Sequence, residues 1–151
     1  MVTATDPVYK QLAARWDFPD SERFMRILEK TMTPEEARLL FEMPMPIETS
    51  ELAKKVHMEP VALEKKLRAL ARRGLVITGK KGHMAPAGIG QLHDATLSSA
   101  KEYVSQEMLD LWKDFHHAEW EPDLIDIMTR RKRTPEGFAT IPILLENVGH
   151  V

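Results

Sequence analysis

Apolar residues recur at helical spacing over most of this chain, and a β-branched apolar run stands in only one place. Val8, Leu12 and Trp16 stand at i, i+4 and i+8, which predicts a short helix from Asp6 to Trp16. Phe18-Pro19-Asp20-Ser21 breaks it, and Ser21 is placed to cap a second helix to about Met32, with Phe24, Ile27 and Leu28 on one face. Thr33-Pro34-Glu35-Glu36 has the form of a capping box with proline at the first helical position, and opens a third helix that ends at Glu42, before Pro44 and Pro46. Pro46-Ile47-Glu48 reads as a short extended piece. Thr49 then caps a helix over Ser50 to Val56, and His57-Met58-Glu59 makes a turn.

Pro60 opens a longer helix that runs to Arg73 and stops at Gly74. Leu75-Val76-Ile77-Thr78 is apolar and β-branched, hence a strand; Gly79-Lys80-Lys81-Gly82 is a tight turn, and His83-Met84-Ala85-Pro86 returns as a second strand. Gly88 to Leu97 reads as a helix, and Val104 to Trp120 as a long one, ended by Glu121-Pro122. The fold class expected is mainly α with a small β-wing, a winged helix-turn-helix with flanking N- and C-terminal helices. The organisation expected is N-terminal helices over 1–45, the winged helix-turn-helix over 46–87, C-terminal helices over 88–121 and an extended arm over 122–151.

Composition narrows the chemistry. With 151 residues, 43% hydrophobic and 29% charged, the chain suits one domain with an appended arm. It contains no cysteine, which excludes disulfides, thiolate metal sites, cluster ligation and a cysteine nucleophile within the chain. No apolar run approaches a membrane span and the N-terminus has no signal-peptide core, so a cytoplasmic protein with no membrane partner is expected. No P-loop, nucleophile elbow or dinucleotide fingerprint is present, and Gly88-Ile89-Gly90 reads as a joint; no catalytic residue, no cofactor and no enzymatic activity are expected. Six histidines raise the question of a metal. None has the H-E-x-x-H spacing, His93-Asp94 reads equally as a helix-surface hydrogen bond, and the neighbours His116 and His117 should point about 100° apart on a helix. No metal site is expected.

Net charge is −2, but it is unevenly spread. Residues 46–86 hold nine Lys and Arg against four acids, a net +5, so the rest of the chain carries −7. On the Pro60–Arg73 helix, Leu63, Leu67 and Leu70 form the inward stripe, leaving Val61, Lys65, Arg68, Ala69 and Arg72 outward. Val61, Lys65, Arg68 and Arg72 are therefore the candidate recognition residues, with Lys80 and Lys81 at the wing tip. These cations suit phosphates or guanine edges. Against that, the first half of the helix has no Asn, Gln, Ser or Thr to read bases, and Glu59 and Glu64 would oppose phosphate. The face is thus open to two partners, double-stranded DNA bound by a homodimer or a protein surface. Trp112, Phe115 and Trp120 read as core or as a dimer seam, and Arg130-Arg131-Lys132-Arg133 as a solvated run or an anion-facing patch.

Several segments resemble ferredoxin-type [4Fe-4S] proteins of anaerobic bacteria, in which a winged-helix-like N-terminal region precedes a cysteine-rich cluster-binding part. They are Tyr9-Lys10-Gln11-Leu12-Ala13, Ser21-Glu22-Arg23-Phe24, Met32-Thr33-Pro34-Glu35-Glu36-Ala37, Gly90-Gln91-Leu92-His93-Asp94-Ala95-Thr96 and Leu111-Trp112-Lys113-Asp114-Phe115. The stretch at Ile141-Pro142 resembles the connecting arm. The cluster cysteines have no counterpart, so no ligand carries over. The resemblance implies a bacterial docking or regulatory module beside an iron–sulfur electron-transfer part. The Leu67–Gly74–Leu75 pattern also resembles MarR-type regulators, which implies DNA binding and transcription regulation.

Overall fold

The computed structural model describes residues 5–132. It is mainly helical with one small antiparallel sheet, as the pattern predicts. Two compact units divide between Trp112 and Lys113.

In the first unit, local sequence signals set the helix boundaries. Helix α1 (Pro7–Arg15) starts where the Asp6 carboxylate accepts the Val8 amide, and Arg38, 2.9 Å away, joins that amide in holding the Asp6 carboxyl below the usual range. Ser21 caps α2 (Glu22–Thr31) by accepting the Phe24 amide. A complete capping box between Thr33 and Glu36 opens α3 (Pro34–Phe41). Helices α4 (Thr49–Val56) and α5 (Pro60–Arg72) follow, joined by a turn in which His57 is left-handed at φ 56°. Gly74, at φ 78°, ends α5. Strands β1 (Ile77–Gly79) and β2 (Gly82–Met84) make a hairpin with Lys80-Lys81 as its two-residue loop. Helix α6 (Ile89–Leu97), a 3₁₀ turn at Lys101–Tyr103 and the part of α7 (Gln106–Phe115) up to Trp112 complete the run.

Each amphipathic helix of this unit buries one stripe. Trp16, Phe24 and Trp112 are buried and meet edge to face, with ring centroids 6.2 to 6.3 Å apart. The Trp16 indole donates to the Pro86 carbonyl at 2.8 Å, tying α1 to the residues after the hairpin. The Tyr9 hydroxyl donates to the Met32 carbonyl at 2.7 Å, and burial there raises the phenol pKa. Ile47 pairs with His83 through hydrogen bonds of 2.9 and 2.8 Å, so the expected extended piece adds a one-residue third strand to the hairpin.

The structure corrects four expectations. The first strand is shorter and later than Leu75–Thr78, because Leu75 and Val76 are drawn into the core. The second is Gly82–Met84 rather than His83–Pro86, since Ala85 already turns away to donate to the Met43 carbonyl at 2.9 Å. Thr49 does not cap α4; Glu48 holds that position without a side-chain bond, and the Thr49 hydroxyl is drawn to Glu64. In the second unit Glu121-Pro122 does not break the helix. A π turn at His116–Trp120 leads directly into α8 (Glu121–Lys132), with Pro122 in its first turn, so the arm expected over 122–151 is helical as far as Lys132. The remainder of that arm, including Arg133 and Ile141-Pro142, lies outside the described residues.

Trp112 and Phe115 are buried within the chain, as core residues are, while Trp120 is half-buried and stacks on Phe115 with centroids 6.3 Å apart.

Candidate functional site

Helix α5 owes its orientation to three leucines. Leu63, Leu67 and Leu70 are each at most 1% exposed, and their burial turns the opposite face to solvent. Val61 is 73% exposed, an unusual position for a β-branched apolar side chain at the start of a helix. Lys65, Arg68, Ala69 and Arg72 are exposed along the same face, and Lys80 and Lys81 are exposed at the hairpin tip. The structure therefore presents every expected recognition residue outward.

Two acids modify that face. Glu59 is the N-cap of α5, and its two carboxylate oxygens accept the Val61 amide at 3.1 Å and the Ala62 amide at 2.9 Å. A carboxylate therefore already sits on the free amides that make helix N-termini good anion sites. Glu64, half-buried, accepts from Thr49, lies 3.5 Å from the Arg68 Nε and 3.6 Å from His83 Nε2. The Thr49 hydrogen bond first, then the charges of His83 and Arg68, keep its carboxyl below the ordinary glutamate range. His83 in turn stands 2.9 Å from Thr78 Oγ1 through Nδ1 and 3.2 Å from Thr49 Oγ1 through Nε2.

Thr49, Glu64, His83 and Thr78 thus link α4, α5 and both strands. Sequence reasoning missed this cluster, reading Thr49 as a cap and Glu64 as a repulsive surface charge. One signal was available. Thr78 and His83 are directly opposed in the register, and a hairpin with a two-residue loop at Lys80-Lys81 requires that pairing.

Pro60, Val61, Glu64, Lys65 and Arg68 line a shallow depression on this face, and its wall is almost wholly apolar. Aliphatic stems of Lys65 and Arg68 supply that surface while their charged heads reach water. A separate concavity between α1, α3, α4 and α5 is lined in part by Val8, Gln11, Arg38, Lys55 and Lys66.

Comparison with known proteins brings no relative to this site: no protein-family model, curated protein or solved structure matches the chain.

The second unit holds the other group of chemistry-bearing side chains, and it overturns the expected divergence of His116 and His117. Both rings turn an Nδ1 towards Glu121, at 3.9 and 3.4 Å from the same carboxylate oxygen. The π turn is the reason. The Glu121 amide bonds back to the His116 carbonyl, five residues earlier, so Glu121 lies over His116 as well as over His117. The His93-Asp94 pair is a 2.8 Å contact on the surface of α6.

Among the described residues no helix is long and apolar enough to cross a membrane.

Proposed function

We propose that residues 46–87 are a winged helix-turn-helix, with α5 as recognition helix and the β1–β2 hairpin as wing. We further propose that it serves as a non-enzymatic docking module for a protein partner. The order of extended piece, helix, turn, helix and hairpin supports the first part, together with the Ile47–His83 bridge that completes a wing sheet. The observation that carries the second part is the Glu59 cap. A helix that enters the major groove leads with its N-terminal turn. Here that turn holds a carboxylate on its amides and an exposed valine beside it. The apolar depression next to Val61 suits an aliphatic or aromatic anchor from a protein, and the ring of Lys65, Arg68 and Arg72 suits an acidic rim around that anchor. The resemblance to ferredoxin-type proteins names the partner class, an iron–sulfur electron-transfer protein, with the clusters held by the partner and none by this chain.

The exposed cations favour one alternative, a dimeric DNA-binding regulator with recognition helices about 34 Å apart. A labelled mixed-sequence duplex, titrated by fluorescence anisotropy at low and then rising salt, separates the two. The docking reading expects no binding at low salt, and binding instead to a [4Fe-4S] ferredoxin-type protein that Val61→Asp abolishes. Duplex binding that falls steeply with salt and again in the Lys65→Ala/Arg68→Ala/Arg72→Ala variant would replace it with the regulator reading.

A further inference from the structure

We infer that His116, His117 and Glu121 form a binding site for a divalent transition-metal cation of the zinc type. Their three ligand atoms lie within 4.8 Å of one another, the one such group among the described residues. Two imidazoles and a carboxylate are a zinc donor set, and they leave a coordination position open for water or a partner's side chain. Metal–ligand bonds of about 2.0 to 2.2 Å place two ligands of a tetrahedral ion roughly 3.4 Å apart. The His117 Nδ1 to Glu121 carboxylate distance is already 3.4 Å and the His116 distance 3.9 Å, and with every pair within 4.8 Å the side chains must close in around the ion.

The backbone supports this assignment independently of the side chains. On a regular α-helix a side chain meets those three and four positions before it, so Glu121 would reach His117 but not His116, five positions back. The π turn at His116–Trp120 adds a residue to the turn and brings both over Glu121. Such turns are rare and cluster at functional sites. Trp120 packs edge-on against the His116 ring, centroids 5.3 Å apart, which restricts that ring's rotation and lowers the entropy lost on binding. His117 and Glu121 are exposed, so an ion reaches them without any opening of the fold. Because the chain has no cysteine, no thiolate competes for the ion. The ligating forms are the neutral imidazole and the carboxylate, so an ion binds by displacing protons.

The test is calorimetric titration of the full chain with zinc chloride at pH 7.5, beside His117→Ala, Glu121→Gln and the control His57→Ala. One ion per chain is expected, bound at least ten-fold more weakly in each of the two site variants and equally tightly in the control. Both site positions are exposed, so far-UV circular dichroism should be the same for all four proteins. The inference is overturned if the wild-type chain takes up no zinc, or if uptake is equal in wild type and both site variants.

Discussion

At the scale of single residues, the fate of Arg73 shows how little a count of charges says about function. It belongs to the basic segment, yet its guanidinium is spent inside the fold. It donates to the Glu36 carboxylate at 2.5 Å and to the Thr31 carbonyl at 2.5 Å, joining the end of α5 to α2 and α3. Burial pushes the Glu36 carboxyl up, but Arg73 and the Thr33 amide outweigh it, and the net effect is a pKa below the ordinary glutamate value. A folded-state pKa that is depressed stabilises the fold above the unfolded value, about 4.3, and that contribution is lost as pH falls through the lower folded value. Arg73→Met should therefore cost about 1 to 3 kcal/mol at pH 7, since it strands a largely buried carboxylate. It should also flatten the acid limb. Urea unfolding at pH 7 and pH 3 measures both, and equal pH dependence in the two proteins would remove Glu36 from the account.

At the scale of elements, the close approach of α6 to the end of α5 rests on Gly74. A Cβ there would meet the Ala95 carbonyl oxygen at 2.2 Å, and its φ of 78° is one that L-residues avoid. Gly74→Ala should destabilise by about 2 to 4 kcal/mol, part from the left-handed backbone and the rest from pushing α6 away. Gly79→Ala, with nothing within 4 Å, should be close to neutral, and thermal melts of the pair check the contrast. Boundaries of this kind were legible in the sequence because their causes are local. Ser21, the Thr33–Glu36 box, Pro60 and Gly74 each satisfy or end a helix through neighbours within a few positions. The leucine stripe of α5 was legible for the same reason, and with it the outward set from Val61 to Arg72. Features with distant causes were not. Thr49 is diverted by Glu64, and the strands are trimmed by the core's claim on Leu75, Val76 and Ala85. The π turn was hidden behind Glu121-Pro122, which reads as a stop. A proline lacks the amide and crowds the carbonyl four residues back, and a turn widened by one residue just before it lets the helix pass. The meeting of His116, His117 and Glu121 was invisible for that reason alone.

At the scale of the whole molecule, the +5 segment is partly neutralised by acids outside it. Lys55 pairs with Glu42 at 3.2 Å, Lys66 with Glu35 at 3.9 Å and Arg73 with Glu36. Arg68 pairs with Glu64 inside the segment, and Lys54, Lys65, Arg72, Lys80 and Lys81 form no ion pair within 4.0 Å among the described residues. Of these five, Lys65 and Arg72 lie on the outward face of α5, Lys80 and Lys81 at the hairpin tip, and Lys54 is exposed on α4. Exposed charges contribute little to stability, whereas they steer encounters over distances set by the Debye length, about 10 Å at 0.1 M salt. Whichever partner the module takes, the association rate should thus fall about ten-fold or more between low and high salt. The Lys65→Ala/Arg72→Ala/Lys80→Ala/Lys81→Ala variant should lose most of that dependence while keeping its melting temperature. Under the proposed docking to a protein, dissociation should change far less, since the anchor would sit in the apolar depression beside Val61. Stopped-flow association measured across salt concentrations separates the two contributions. A rate indifferent to salt in the wild-type chain would place the interface on another face of the protein.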